Sequence, residues 1–143
     1  MCDTSDPAIK QAYDDVRDDS NETTWAVFSY EADSNKLQVI GTGTQSVDEF
    51  LPLLADDIVA YVYFRVISGD EESKRPKFVF TTWIGDNVKI MRKAKVSVHK
   101  ADVKKIVRQF AVEMQAFDHD DLAIEQVMKE VRKAGGADYH GNW

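Results

Sequence analysis

The spacing of apolar positions changes several times along the chain, and each change marks an element. Ile9, Tyr13 and Val16 recur at helical spacing. Ser5 and Asp6 precede Pro7 and supply a helix start. A Ser or Asp side chain accepts from a free amide of the first turn, and proline there removes no donor the helix needs. Asp18 to Thr23 is a polar turn. Trp25 to Tyr30 is aromatic and β-preferring and reads as a strand, Glu31 to Asn35 as a turn, and Lys36 to Gly41 as the second strand of a hairpin. Ser46-Val47-Asp48-Glu49 fits a capping box, with Val47, Phe50, Leu51 and Leu54 as the apolar face of a short helix that Pro52 interrupts or bends.

Val59 to Ile67 is almost continuously apolar or β-forming, the pattern of a strand covered on both faces. Ser68 to Pro76 is polar and reads as a loop. Lys77 to Ile84 is again strongly β and stops at Gly85. Asp86 or Asn87 is the expected cap of a long helix with two apolar sets: Ile90, Ala94 and Val98, then Val103, Ile106, Val107 and Phe110. The β-branched Val96 and Val98, with Ser97 between, predict a kink. Gln109 to Phe117 reads as a last strand, and Asp118 to Asp121 as caps for a last helix. That helix buries Ile124, Val127, Met128 and Val131 and stops at Gly135-Gly136. The order is α-β-β-α-β-β-α-β-α. It predicts one α/β (α+β) domain over residues 1–143: a mixed sheet of about five strands, helices on both faces, an ordered core over roughly 6–136 and a loose tail over 137–143.

Charge changes the picture more than composition does. The 143 residues are 43% hydrophobic and carry a formal net charge of -7, which alone argues against a polyanion ligand. The average conceals a split. Residues 1–72 carry -12, residues 73–108 carry +9 and residues 109–143 carry -4. Eleven of the 18 basic residues therefore fall in one quarter of the chain, which implies a cationic contact surface on an acidic body. Lys74, Arg75 and Lys77 open a strand. Lys89, Arg92, Lys93 and Lys95, then Lys100, Lys104, Lys105 and Arg108, follow along the helix, with Lys89, Arg92 and Lys93 on one face. The expected arrangement is a cationic helix beside a cationic loop, which attracts an acidic partner.

Other chemistry finds little support. No stretch is long enough to span a bilayer, and the polar N-terminus has no signal-peptide pattern. The single cysteine, Cys2, forms no internal disulfide, and a reducing cytoplasm is the expected compartment. His99, His119 and His140 lack metal-ligand spacing, and no catalytic motif or cofactor signature occurs. Gly41-Thr42-Gly43-Thr44 lacks the Gly-Lys-Ser/Thr of a phosphate loop, and Asp118 to Asp121 lacks the Gly and Glu of a calcium loop. The lysines are not interleaved with aromatics for base stacking, and the acidic remainder repels phosphate, so nucleic acid is not the expected partner. A membrane surface fits poorly because the basic helix has no exposed Trp or Phe. An acidic protein surface fits best.

Four segments resemble one known family: Ala12 to Asp19, Ser73 to Phe78, Thr82-Trp83-Ile84-Gly85 with Asn87-Val88, and Lys133 to Tyr139. Together they resemble the coactosins, a branch of the actin-depolymerising-factor homology family that includes cofilin, over roughly residues 7–140. The resemblance implies a central sheet of five or six strands between helices and a non-enzymatic protein, monomeric and associated with the cytoskeleton. It implies binding to filamentous actin through the first half of the long helix (Lys89, Arg92, Lys93, Lys95), the basic loop and strand (Lys74, Arg75, Lys77), and the segment before the last helix. It implies opposition to barbed-end capping without strong severing or depolymerisation. The alternatives are a phosphoinositide-binding cytoskeletal regulator that uses the same basic surface, or a cofilin-like actin-depolymerising factor. Cofilin's regulatory serine near the initiator Met has no clear match, since Ser5 is explained as a helix-start residue.

Overall fold

The computed structural model describes residues 2–69 and 74–134. The expected Gly135-Gly136 stop, the 137–143 tail, His140, Ser73 and most of the Lys133–Tyr139 segment lie outside the described residues.

The predicted first helix forms as α1, Pro7–Arg17. The Asp6 side chain accepts from the Ala8 amide, and Ile9, Ala12, Tyr13 and Val16 make one buried stripe. Strands β1, Trp25–Tyr30, and β2, Leu37–Gly43, pair antiparallel, with a register shift at Val27/Phe28. Asp33 in their turn takes φ 57°. The α2 helix is one turn, Val47–Phe50, followed by a 3-10 turn, Leu51–Leu53, that holds Pro52. The expected capping box is not made: Ser46 forms no side-chain cap. Glu49 instead accepts from the Trp25 indole at 2.8 Å and from the amides of Thr44 and Gln45. A long-range partner has taken the carboxylate that the local motif needed.

Strands β3, Val59–Ser68, and β4, Arg75–Ile84, form the longest antiparallel pair, and β4 begins two residues before its predicted start. Gly85 follows its end, at a position where a Cβ would run into the backbone carbonyl of Asp56. The long helix breaks into α3, Ile90–Lys93, and α4, Val96–Lys104. The break falls at Ala94–Lys95, just ahead of the β-branched residues. Asn87 does not cap α3; its amide donates to Asp56 at 2.9 Å, and Lys89 occupies the cap position without a side-chain bond. Strand β5, Val112–Ala116, runs parallel to β4. A parallel pair needs a crossover, and α3–α4 supplies it. Asp118 caps a 3-10 turn, His119–Leu122, rather than the last helix α5, Ile124–Ala134.

The five strands of the described residues are ordered β2-β1-β3-β4-β5, the expected mixed sheet. Alternation splits the core in two. Ala26, Phe28, Tyr61, Tyr63 and Phe80 face α1 and α4. Trp25, Val27, Val62, Phe64, Val79 and Trp83 face α2 and α5. This is why β3 is apolar at almost every position and β4 is apolar or β-forming from Phe78 to Ile84.

Candidate functional site

Strand β4 decides where the basic residues go. Nine residue steps at about 3.3 Å each separate Arg75 from Ile84 by ~30 Å. Lys74, Arg75 and Lys77 therefore sit at one end of the sheet, whereas Lys89, Arg92, Lys93 and Lys95 follow the other end. The expected helix beside a basic loop is thus corrected for its first half, Lys89 to Lys95; only the end of the block, at Arg108, returns to Lys77. The block contiguous in sequence is two clusters at opposite ends.

At the Lys77 end, Lys74 and Arg75 are exposed and Lys77 is half-buried. Lys77 shares an open groove with Arg17 of α1 and Arg108, which follows α4, walled by Phe78 and Phe110. Arg17 and Arg108 are absent from the expected contact set because they come from distant parts of the chain. Lys100 and Lys104, between the two ends, are paired with Glu113 at 3.3 and 2.6 Å. Burial raises the Glu113 carboxyl, but the hydrogen bonds and charges of Lys104 and Lys100 outweigh it and hold the group below the ordinary value.

At the α3 end, Lys89, Lys93 and Lys95 are exposed, but Arg92 is half-buried. Its guanidinium donates to Asn35 Oδ1 at 2.9 Å and to the Ser34 carbonyl at 2.8 Å. It also lies 4.0 Å from the centroid of the Tyr30 ring. Beneath it the Tyr30 hydroxyl bonds Tyr61 at 2.7 Å and His99 Nδ1 at 2.8 Å. His99 is buried on α4, and that burial, aided by the charge of Arg92, lowers its pKa. Cys2 donates its amide to Asp102 at 3.1 Å, and burial pushes its thiol up to about 11, far from a reactive thiolate.

The apolar set Ile90, Ala94 and Val98, expected in the core, is outside it. Ile90 is 79% exposed, Met91 69% and Val98 56%. The buried side of α4 is Val96, His99, Asp102 and Val103 instead. Ile124, also expected in the core, is 37% exposed. Nearby, Trp83, Phe117 and His119 line an open cleft of about 750 Å³ together with Asp56, Asp86 and Asp118. The Trp83 indole donates to the Ala55 carbonyl at 2.8 Å, and its ring packs 5.4 Å from that of His119. Helical spacing groups Ile90 with Ala94 and Val98 because it marks apolar residues without saying which side is covered, and nothing in the sequence marks Met91 or Phe117 as surface. Among the described residues no His, Cys, Asp and Glu group is arranged to hold a metal ion. No helix among them is long and apolar enough to cross a membrane.

Residues 1–132 of the chain match a known family model, that of the cofilin/tropomyosin-type actin-binding proteins. The chain belongs to this family. The cofilin/tropomyosin-type family is characterised by actin binding rather than by a reaction. Within it, the chain is 46% identical over 147 residues to coactosin of Dictyostelium discoideum, covering 99% of this chain and 97% of that protein. It is 36% identical to the coactosin-like protein of Homo sapiens over 92% of this chain and 91% of that one. The crystal structure of coactosin from Entamoeba histolytica superposes with a TM-score of 0.86 at 34% identity, over 94% of this chain and 96% of that chain.

Proposed function

We propose that this protein binds actin filaments along their sides as a monomer in the cytoplasm, and that it opposes barbed-end capping without strong severing or depolymerisation. The observation that carries the reading is the α3 tip: Ile90 and Met91 stand in solvent, flanked by the exposed Lys89, Lys93 and Lys95. Large apolar side chains left uncovered within a charged rim are the make-up of a protein interface. The lysines steer the tip onto an acidic filament, and the apolar pair supplies contact area. Lys74, Arg75 and Lys77, ~30 Å away along β4, form a second contact on the same partner. Co-sedimentation with filaments tests the reading. Affinity is expected to fall as salt rises, and Lys93→Ala and Lys77→Ala are each expected to weaken pelleting while the melting temperature stays unchanged. Normal pelleting of both variants would remove the site assignment.

The Arg17, Lys77 and Arg108 groove favours a second reading. No acidic residue lines it among the described residues, so it suits the phosphates of a phosphoinositide headgroup. Flotation with liposomes that contain such lipids is expected at low salt; its absence would discard the reading.

A further inference from the structure

The α3 tip raises a physical question: what holds it in place. The helix is four residues long and has no buried residue. Its first turn has no side-chain cap, and it joins α4 only through a turn at Ala94–Lys95, where the Lys95 amide donates to the Arg92 carbonyl at 3.1 Å. A single turn of this kind does not persist through its own hydrogen bonds. Its two largest apolar side chains face water. Val88 before it and Val96 after it are buried and fix only its flanks. Among the described side chains of α3, Arg92 is the one that grips the body. It reaches the β1–β2 turn with two hydrogen bonds, to Asn35 and to the Ser34 carbonyl, and covers the Tyr30 ring. The turn is itself tied down, since Asp3 donates its amide to the Asn35 carbonyl at 2.9 Å and accepts from the Leu37 amide at 2.8 Å.

We infer that Arg92 is a positioning residue rather than a filament contact: it clamps α3 to the β1–β2 turn and so presents Ile90, Met91, Lys93 and Lys95 to the partner. This rests on the actin reading above and changes one residue of the contact set from charge donor to strut. A guanidinium engaged on three sides has little left to offer a partner. Its planar fork, which serves two acceptors and a ring face at once, is what lysine cannot reproduce. If the clamp opens, the binding-competent tip is only a fraction of the population, and apparent affinity falls by that fraction.

The test compares Arg92→Lys, Arg92→Ala, Asn35→Ala and Lys93→Ala with the unmodified chain. Filament affinity is measured by co-sedimentation across a salt series, and amide hydrogen exchange is followed over residues 89–95. The clamp predicts that Arg92→Lys and Arg92→Ala both weaken binding about 5- to 30-fold, the range for the loss of one or two such bonds, with the salt dependence unchanged. Asn35→Ala weakens binding in the same direction, and its combination with Arg92→Ala costs less than the product of the two. Lys93→Ala flattens the salt dependence, because it removes a charge that meets the filament. Exchange over 89–95 speeds up in both Arg92 variants while the melting temperature changes little. Wild-type affinity in Arg92→Lys, together with a flattened salt dependence in Arg92→Ala, would make Arg92 a direct contact and overturn the inference. Failure of the unmodified chain to pellet would instead remove the actin reading. The exchange measurement then still decides the clamp, and unchanged exchange in both Arg92 variants would refute it.

Discussion

Ile90 separates two accounts of the same helix. Periodicity groups it with Ala94 and Val98 as core, whereas the structure leaves it 79% exposed at the tip of α3. Consider Ile90→Ser. Fully burying an isoleucine is worth about 1.5–3 kcal/mol. A core Ile90 would therefore cost at least about 2 kcal/mol when truncated, and a cavity would add to that. The exposed Ile90 costs almost nothing in the free protein, within about 0.5 kcal/mol of zero. On docking, most of that exposed surface leaves water. Covering half to all of it returns about 1–2 kcal/mol, a ~5- to 30-fold loss of affinity in the serine variant. Urea denaturation of the free protein and filament co-sedimentation measure the two quantities independently. The expected result is an unchanged midpoint with weakened pelleting. A lowered midpoint would return Ile90 to the core, and unchanged pelleting would remove it from the contact.

Gly85→Ala is expected to destabilise by about 1–3 kcal/mol, because its Cβ meets the fixed Asp56 carbonyl rather than a movable side chain; an unchanged melting temperature would contradict this. The buried His99 has a lowered pKa, so the fold keeps it neutral while the unfolded chain binds a proton near the ordinary value of 6.5. Its contribution to stability is thus present above that value and fades as pH falls below it. Urea midpoints at about pH 7.5 and about pH 5.5 are expected to differ in the unmodified chain and to differ less in His99→Gln; equal differences would show that another group carries the dependence.

Much of the fold is legible in the residues, for reasons the structure explains. Strands β3 and β4 announce themselves because both faces are covered, so nearly every position from Val59 to Phe64 and from Phe78 to Ile84 is apolar or β-forming. The α1 start is legible because its cap, Asp6, acts within two residues of itself. What fails is what depends on distance in space. The Ser46 and Glu49 pair has the local spacing of a cap, but the Trp25 indole, 24 residues away in the chain, takes the carboxylate. Lys74 to Lys95 looks like one basic surface until a ten-residue strand is laid through it. Arg92 looks like its lysine neighbours, and only the folded hairpin shows that its charge is already engaged. Ile90 and Met91 carry no mark in the sequence that distinguishes an interface from a core.

The break between α3 and α4 also bears on how the protein can change over generations. The residues before it, Ile90 to Lys93, include none that is fully buried, whereas those after it carry Val96, His99 and Val103 into the interior. Most substitutions ahead of the break are therefore invisible to folding and are judged by the partner alone. Drift among Ile90, Met91 and Lys93 can retune which surface is recognised while the scaffold stays constant. An engineer seeking a new binder from this scaffold can begin at the same three positions, leaving Arg92 in place.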